Sequence, residues 1–352
     1  MKKLIALSYL LLFSMNSLPA SEECQADGDL EYICGPQNAE DIVQLGDSRW
    51  LITSGMDGSL SQTGTGGHIY LIDHIDKTWE VLVPQESLDV KVTRSMFVQC
   101  PGPLNPENFS AHGLALRETG PDQYDMYMTS HGAREAIEVF SIDASGDKPA
   151  ITWIGCVPIT AGIWANSVAI LSDGGFVTTK FMDLTQPNAF GDIWQGKVTG
   201  EVYEWHPGGE LTKLAGTELS GPNGILVSPD DRWVYVAAFG GRAVVRFERT
   251  NPENSKTAAI PLIPDNLRWG PDGRIYTAGE SVAVGEACTS FPCGSGWSVL
   301  AIDPETLEAE RVAGVDAGTA LGSVSVGTPV GDHVWVGSFS ADRIGYLPLK
   351  QQ

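Results

Sequence analysis

Basic residues are scarce in this chain: 22 Lys and Arg stand against 44 Asp and Glu over 352 residues, a formal net charge of −22. No basic run interrupts that excess, so charge repulsion excludes nucleic acid and anionic membrane surfaces as partners. No apolar stretch is long enough to span a bilayer comfortably. The Cys residues show neither CxxC spacing nor a neighbouring His, which argues against a zinc site. Long helical periodicity is also missing. What the acidic balance does suit is a hard cation such as calcium.

The first residues read as an export signal. Met1-Lys2-Lys3 is a short basic start, Leu4 to Phe13 is an apolar run, and Leu18-Pro19-Ala20 offers a small residue ahead of Ser21. The expected division is a signal peptide over residues 1–20 and a mature chain over 21–352, exported to the periplasm or secreted. No Cys follows the small residues directly, which argues against a lipoprotein. All six Cys lie beyond the expected cleavage point, an even number suited to an oxidising compartment. Six Cys allow many pairings, and the sequence alone does not choose among them. Nearness suggests Cys288 with Cys293 and Cys24 with Cys34, which leaves Cys100 with Cys156.

Short β-rich runs fill the rest of the chain. Examples are Trp50-Leu51-Ile52-Thr53, His68-Ile69-Tyr70-Leu71-Ile72, Trp233-Val234-Tyr235-Val236 and His333-Val334-Trp335-Val336. Gly, Asp, Pro and Asn bound them, as they bound strands and hairpins. An internal repeat organises these runs. Ser228-Pro229-Asp230-Asp231-Arg232-Trp233-Val234-Tyr235-Val236 resembles Gly270-Pro271-Asp272-Gly273-Arg274-Ile275-Tyr276-Thr277. Weaker copies surround Asp47, Asp173 and Asp332, and a degenerate one surrounds Asp122. Each copy reads as a strand, a tight Asp/Gly turn and an aromatic or β-branched strand. The Asp positions recur at intervals of 42 to 75 residues, which suits four-stranded blades with loops of varied length. Repeated hairpins in a β-sandwich would not explain six similar turns along the whole chain. The expected fold is all-β: a single six-bladed β-propeller domain with a central channel.

In a propeller the innermost strand of each blade precedes this turn, so the residues just upstream face the channel. Glu40, Asn166, Asn223 and Asp265 each precede their turn Asp by seven residues, and His112 precedes Asp122 by ten. A shared offset puts these side chains at one level of the channel. Glu40 and Asp265 with Asn166, Asn223 and Asn266 offer hard oxygen ligands. Calcium takes about six to eight oxygens, with water or substrate completing the shell. Zinc or copper would want imidazole and thiolate, and only His112 is near.

Glu40-Asp41, His112-Gly113, Asn166, Asn223-Gly224-Ile225 followed by Ser228-Pro229-Asp230, and Asp265-Asn266 together resemble the calcium-binding segments of the paraoxonases. These belong to the calcium-dependent phosphotriesterase superfamily, with senescence marker protein 30 and the gluconolactonases. The similarity runs from about Cys34 to Tyr346. The paraoxonase branch fits better than the gluconolactonase branch because His112 and His131 both have counterparts there. The resemblance implies that Glu40, Asn166, Asn223, Asp265 and Asn266 bind a catalytic calcium. It implies that His112, with His131 behind it, assists a water as general base, in a catalytic set that includes Asp265. The calcium would polarise an ester or lactone carbonyl as a Lewis acid.

The resemblance also implies a second, buried calcium at Asp41, the carbonyl of Leu114 and Ser167. Ser167 stands where the family has a carboxylate, which weakens that site. The paraoxonases join their chain ends by a disulfide. Cys34 fits its first partner, but Gly345-Tyr346-Leu347-Pro348 carries no Cys. Ring closure is therefore expected from strand pairing, with Cys34 turned to a partner such as Cys24. Cys100 and Cys156 fall at equivalent places ahead of His112 and Asn166, on neighbouring blades where they can meet.

Three functions fit these expectations. The first is an exported calcium-dependent hydrolase of small-molecule lactones or esters, with phosphotriester cleavage as a promiscuous activity. The second is a sugar lactonase of the gluconolactonase type. The third is a non-catalytic propeller that binds a partner, its calcium pinning the blades together. Loops around Trp164, Phe181, Trp194, Phe239 and Trp269 read as apolar, which favours a hydrophobic lactone or aryl ester. The expected assembly is a monomer or a small homo-oligomer.

Overall fold

The structure is a computed structural model that describes residues 24–57, 66–85, 88–93, 95–287, 296–316 and 318–349. Six sheets form the blades of a β-propeller. Their inner strands are Ala39–Gln44, Phe109–Gly120, Ile163–Ile170, Pro222–Val227, Leu267–Trp269 and Val324–Val330, for blades 1 to 6 in chain order. Asp47, Asp122, Asp173, Asp230, Asp272 and Asp332 all fall between an inner strand and the second strand of its blade. These turns each need one residue in the left-handed region. Gly273 supplies it in blade 5 at φ 75°, and in blade 2 Asp122 itself does so at φ 55°. Asp tolerates that conformation because its short side chain bonds nearby backbone, so the degenerate copy makes the same turn without a glycine.

Blade 6 is completed by a strand from the N-terminal end of the described residues. Glu31–Cys34 pairs antiparallel with Arg343–Pro348 as the outermost strand, so strand pairing closes the ring. Apolar side chains of the two end blades then seal the seam: Ile42, Leu51 and Tyr70 of blade 1 pack with Val326, Trp335 and Tyr346 of blade 6. The ammonium of Lys77 lies 4.6 Å from the Trp335 ring and 4.1 Å from the Tyr346 ring, adding cation–π attraction across the same seam.

Disulfides join Cys24 to Cys34 and Cys100 to Cys156. The second corrects one expectation, because its partners are not on neighbouring blades. Cys156 lies on the outer strand Ala150–Pro158 of blade 2, and Cys100 lies on the segment leading into the same blade. The short strand Asp89–Val90 adds in parallel to that outer edge, so the segment already runs along blade 2 before it reaches Cys100. Cys288 and Cys293 lie outside the described residues, as does the expected signal peptide. Among the described residues no helix is long and apolar enough to cross a membrane.

Candidate active site

Five of the six inner strands break register at one level. Pairing skips between Ala39 and Ile42, Ala111 and Leu114, Ala165 and Val168, Pro222 and Ile225, and Val324 and Val326. The residues skipped are Glu40-Asp41, His112-Gly113, Asn166-Ser167, Asn223-Gly224 and Ser325. A bulge takes a side chain out of the strand's alternation and re-aims it. Polar groups thereby enter the channel from strands that are otherwise apolar. In blade 5 the equivalent pair, Asp265-Asn266, directly precedes the inner strand. The longer offset of His112 is absorbed by the 12-residue inner strand of blade 2, which carries a second irregularity between Glu118 and Gly120.

Hydrogen bonds at this level cross every seam between blades. Leu114 N–H donates to Asp41 Oδ2 at 2.7 Å, and Asn166 Nδ2 lies 3.3 Å from His112 Nε2. The Thr179 hydroxyl donates to the Asn223 carbonyl at 2.6 Å, and Gly224 N–H to the Asp265 carbonyl at 3.1 Å. Asn266 N–H donates to the Ser325 carbonyl at 2.9 Å, and the Ser325 hydroxyl to the Glu40 carbonyl at 2.6 Å. Ser325 is the contribution of the sixth blade. The expected site omits it, although it also stands seven residues before its turn Asp and the offset could have found it. Two glycines permit the close approach of the strands. A Cβ on Gly113 would lie 2.6 Å from Ser167 Cα, and one on Gly224 would lie 2.5 Å from the Asp265 carbonyl oxygen.

Four of the oxygens expected to hold calcium are left without partners. Glu40 Oε2, Asn166 Oδ1, Asn223 Oδ1 and Asn266 Oδ1 are buried and accept no hydrogen bond among the described residues. Buried polar atoms are normally satisfied, and these four oxygens are free to accept from ordered water or to ligate a cation. Asn266 Nδ2 donates to Glu40 Oε1 at 2.6 Å, tying two members of the set. Burial, then the neighbouring charges of Asp265 and Asp41, push the Glu40 carboxyl well above its ordinary range. Burial pushes Asp265 up to about 8, against a hydrogen bond from Asn223. A cation among these groups would relieve both carboxyls. Every candidate donor is a hard oxygen, so the set fits calcium. No group of three or more His, Cys, Asp or Glu is placed for a metal among the described residues, so the fit depends on the amide oxygens.

Two of the three groups expected to hold a second calcium, Asp41 and the Leu114 carbonyl, bind an arginine, while the buried Ser167 hydroxyl has no partner among the described residues. Arg268 Nη2 donates to Asp41 Oδ2 and, at 2.9 Å, to the Leu114 carbonyl. Its Nε donates to the Ile42 carbonyl at 3.1 Å. The guanidinium occupies the side of Asp41 and Leu114 where that ion was expected. Nothing in the local sequence marks Arg268, because its partners come from blades 1 and 2.

Beside the oxygens stands a pair of imidazoles. His112 Nδ1 lies 2.9 Å from His131 Nε2, and His112 Nε2 lies 3.7 Å from Glu40 Oε1. Burial, and then the nearby His131, hold His112 well below its ordinary pKa, so it is neutral near pH 7. A cavity of about 130 Å³ opens over His112, Asn166, Asn223 and Asp265, walled by Met56, Trp164, Phe181, Phe190, Phe239 and Phe339. Trp194, on the short helix Ala189–Trp194, backs this wall with its ring 5.4 Å from that of Phe239. Trp269 departs from expectation. It lines a separate opening of about 890 Å³ on the side of the Asp turns, together with Arg268, Val43 and Leu226.

No protein-family model matches the chain. A stretch of 134 residues, 37% of the chain, is 25% identical to Protein STRICTOSIDINE SYNTHASE-LIKE 13 of Arabidopsis thaliana and covers 32% of that protein's length. A solved luciferin-regenerating enzyme superposes with a TM-score of 0.56 at 13% identity, over 91% of this chain and 95% of that one. A gluconolactonase from Xanthomonas campestris superposes with a TM-score of 0.53 at 17% identity, over 92% of this chain and 90% of that one. What these structures share with the chain is the fold. The roles of individual residues rest on the site itself.

Proposed function

We propose that this protein is an exported, calcium-dependent hydrolase of lactones or esters. The observation that carries the reading is the set of partnerless buried oxygens beneath an aromatic cavity lined by His112, which has His131 hydrogen-bonded behind it. Glu40, Asn166, Asn223, Asp265 and Asn266 would hold the ion. Bound there, calcium supplies Lewis-acid polarisation of a carbonyl and balances the charge that develops on its oxygen. His112, neutral at the cavity, accepts a proton from the attacking water at Nε2, and its Nδ1 shares a hydrogen bond with His131. Trp164, Phe181, Phe190 and Phe239 exclude water and receive the apolar part of the substrate. These walls favour a hydrophobic lactone or aryl ester over a sugar lactone, with phosphotriesters as a side activity. Two propellers of similar fold, named as a luciferin-regenerating enzyme and a gluconolactonase, add support. Two disulfides suit a protein that folds in an oxidising compartment.

The test is hydrolysis of an aliphatic lactone and of an aryl ester by the purified mature protein, first with calcium and then with excess chelator. Activity that disappears with the chelator and returns with calcium is expected. A calcium-saturated protein that cleaves neither substrate would sink the reading.

A further inference from the structure

We propose that Glu135 is a positioning residue that decides which nitrogen of His112 faces the cavity. The proposal rests on the hydrolase reading above, in which His112 is the base. Glu135 stands in the connection after the second strand of blade 2, Gln123–Gly132, which carries His131 near its end. Its Oε2 lies 2.7 Å from His131 Nδ1, while His131 Nε2 lies 2.9 Å from His112 Nδ1. Three side chains thus form an unbroken line from a partly exposed carboxylate to the buried wall of the cavity.

The donor and acceptor roles along this line follow from one end. An ionised carboxylate only accepts hydrogen bonds. His131 must therefore present its hydrogen to Glu135 on Nδ1, and in the neutral ring that leaves Nε2 bare. A bare nitrogen can only accept, so His112 must turn Nδ1–H toward it. The Nε2 of His112 is then the unprotonated one, and this is the atom nearest Asn166 and Glu40. The Asn166 amide agrees with that assignment. Its Nδ2 approaches His112 Nε2 as a donor and leaves Oδ1 without a partner, as one of the four buried oxygens of the ring.

Without the carboxylate only the long contact from Asn166 Nδ2, at 3.3 Å on His112 Nε2, still favours these tautomers, and it acts on His131 only through His112. The opposite tautomer would direct Nε2–H at His112, force His112 to accept on Nδ1, and place a hydrogen on the Nε2 that must take the proton from water. Glu135 thus acts at one remove, touching neither substrate nor ion. The Trp164 ring, 5.1 Å from His131 and 5.6 Å from His112, keeps both imidazoles from turning away.

The experiment reads the tautomers directly, by nitrogen-15 NMR of histidine-labelled full-length protein without calcium, in wild type, Glu135→Leu and Glu135→Gln. Wild type should show Nδ1–H on both His112 and His131. Glu135→Leu, which has no acceptor, should show mixed tautomers, and its kcat should fall about 10–100-fold with KM nearly unchanged. Glu135→Gln, whose side-chain oxygen can still accept, should restore the wild-type tautomers and most of kcat. Rings that keep Nδ1–H in Glu135→Leu would overturn the proposal whatever the activity. An inactive wild type with tautomers that still follow Glu135 would overturn the hydrolase reading, and with it the catalytic consequence. If Glu135→Leu fails to fold, Glu135→Lys, which donates where the glutamate accepts, must reverse the His131 tautomer, and an unreversed ring would overturn the proposal.

Discussion

Arg268 reaches from blade 5 to Asp41 of blade 1, a partner 227 residues away in sequence, and neutralises a carboxylate that is fully buried. Leu114 N–H and Ile42 N–H complete the shell around the Asp41 oxygens. The same guanidinium binds the Leu114 carbonyl, so one side chain ties three blades at the axis. A buried carboxylate that loses its cation is left uncompensated, and breaking such a pair costs about 3–5 kcal/mol. Arg268→Met, which keeps much of the length but not the charge, should lose stability of that order in urea unfolding. A loss below about 1 kcal/mol would mean that the pair is not what holds Asp41.

With Arg268 in place, the wild-type protein should bind a single calcium. Native mass spectrometry in calcium should find one ion per chain. In Asn223→Ala, which removes one of the partnerless oxygens, occupancy should weaken. The stabilisation by calcium should shrink in parallel, because a ligand of the native state raises stability with its saturation, by about 2.7 kcal/mol at a hundredfold excess over Kd. A wild-type melting curve indifferent to chelator would count against the whole oxygen set.

His112 supplies a base rather than a ligand in this reading, so its loss should separate chemistry from metal binding. His112→Gln should lower kcat/KM by about 10²–10⁴-fold while keeping the calcium-dependent rise in Tm. Undiminished hydrolysis in this variant would remove His112 from the mechanism. That result would return attention to a propeller whose ion is structural.

Gly224 lies at a close approach between blades 4 and 5. A methyl group there would press on the Asp265 carbonyl oxygen and, at 2.6 Å, on the Leu267 nitrogen, neither of which is a yielding side-chain tip. Gly224→Ala should cost about 1–3 kcal/mol as overpacking does. It should also displace Asp265, so calcium affinity falls together with stability. An alanine variant with wild-type unfolding and calcium titration would show that the seam is looser than the geometry states.

Much of the ring was legible because two local constraints repeat. The Asp turn needs a residue that tolerates the left-handed region, and the residue seven before it meets the axis. That pairing located Glu40, Asn166, Asn223 and Asp265 without any three-dimensional information. Ser325 obeys the same offset, yet a serine ahead of an apolar strand carries no chemical signal until its hydroxyl is seen on the Glu40 carbonyl. His131 was suggested by resemblance, whereas Glu135 behind it sits in a short connection with no repeat to compare it against.

The sequence by itself determined the blade count, the polar residues at the inner strands and the closure of the ring without a disulfide between the chain ends. Each of these follows from local spacing or from which residues are present at all. Only the tertiary structure decided that Arg268 takes the side of Asp41 and Leu114, that Cys100 and Cys156 staple one blade, and that Trp269 faces the opening on the side of the Asp turns. Those outcomes depend on which side chains arrive at the same point from different blades. Such meetings are set by the curvature of the ring and the bulges in its inner strands, and neither has a signature in the order of the residues.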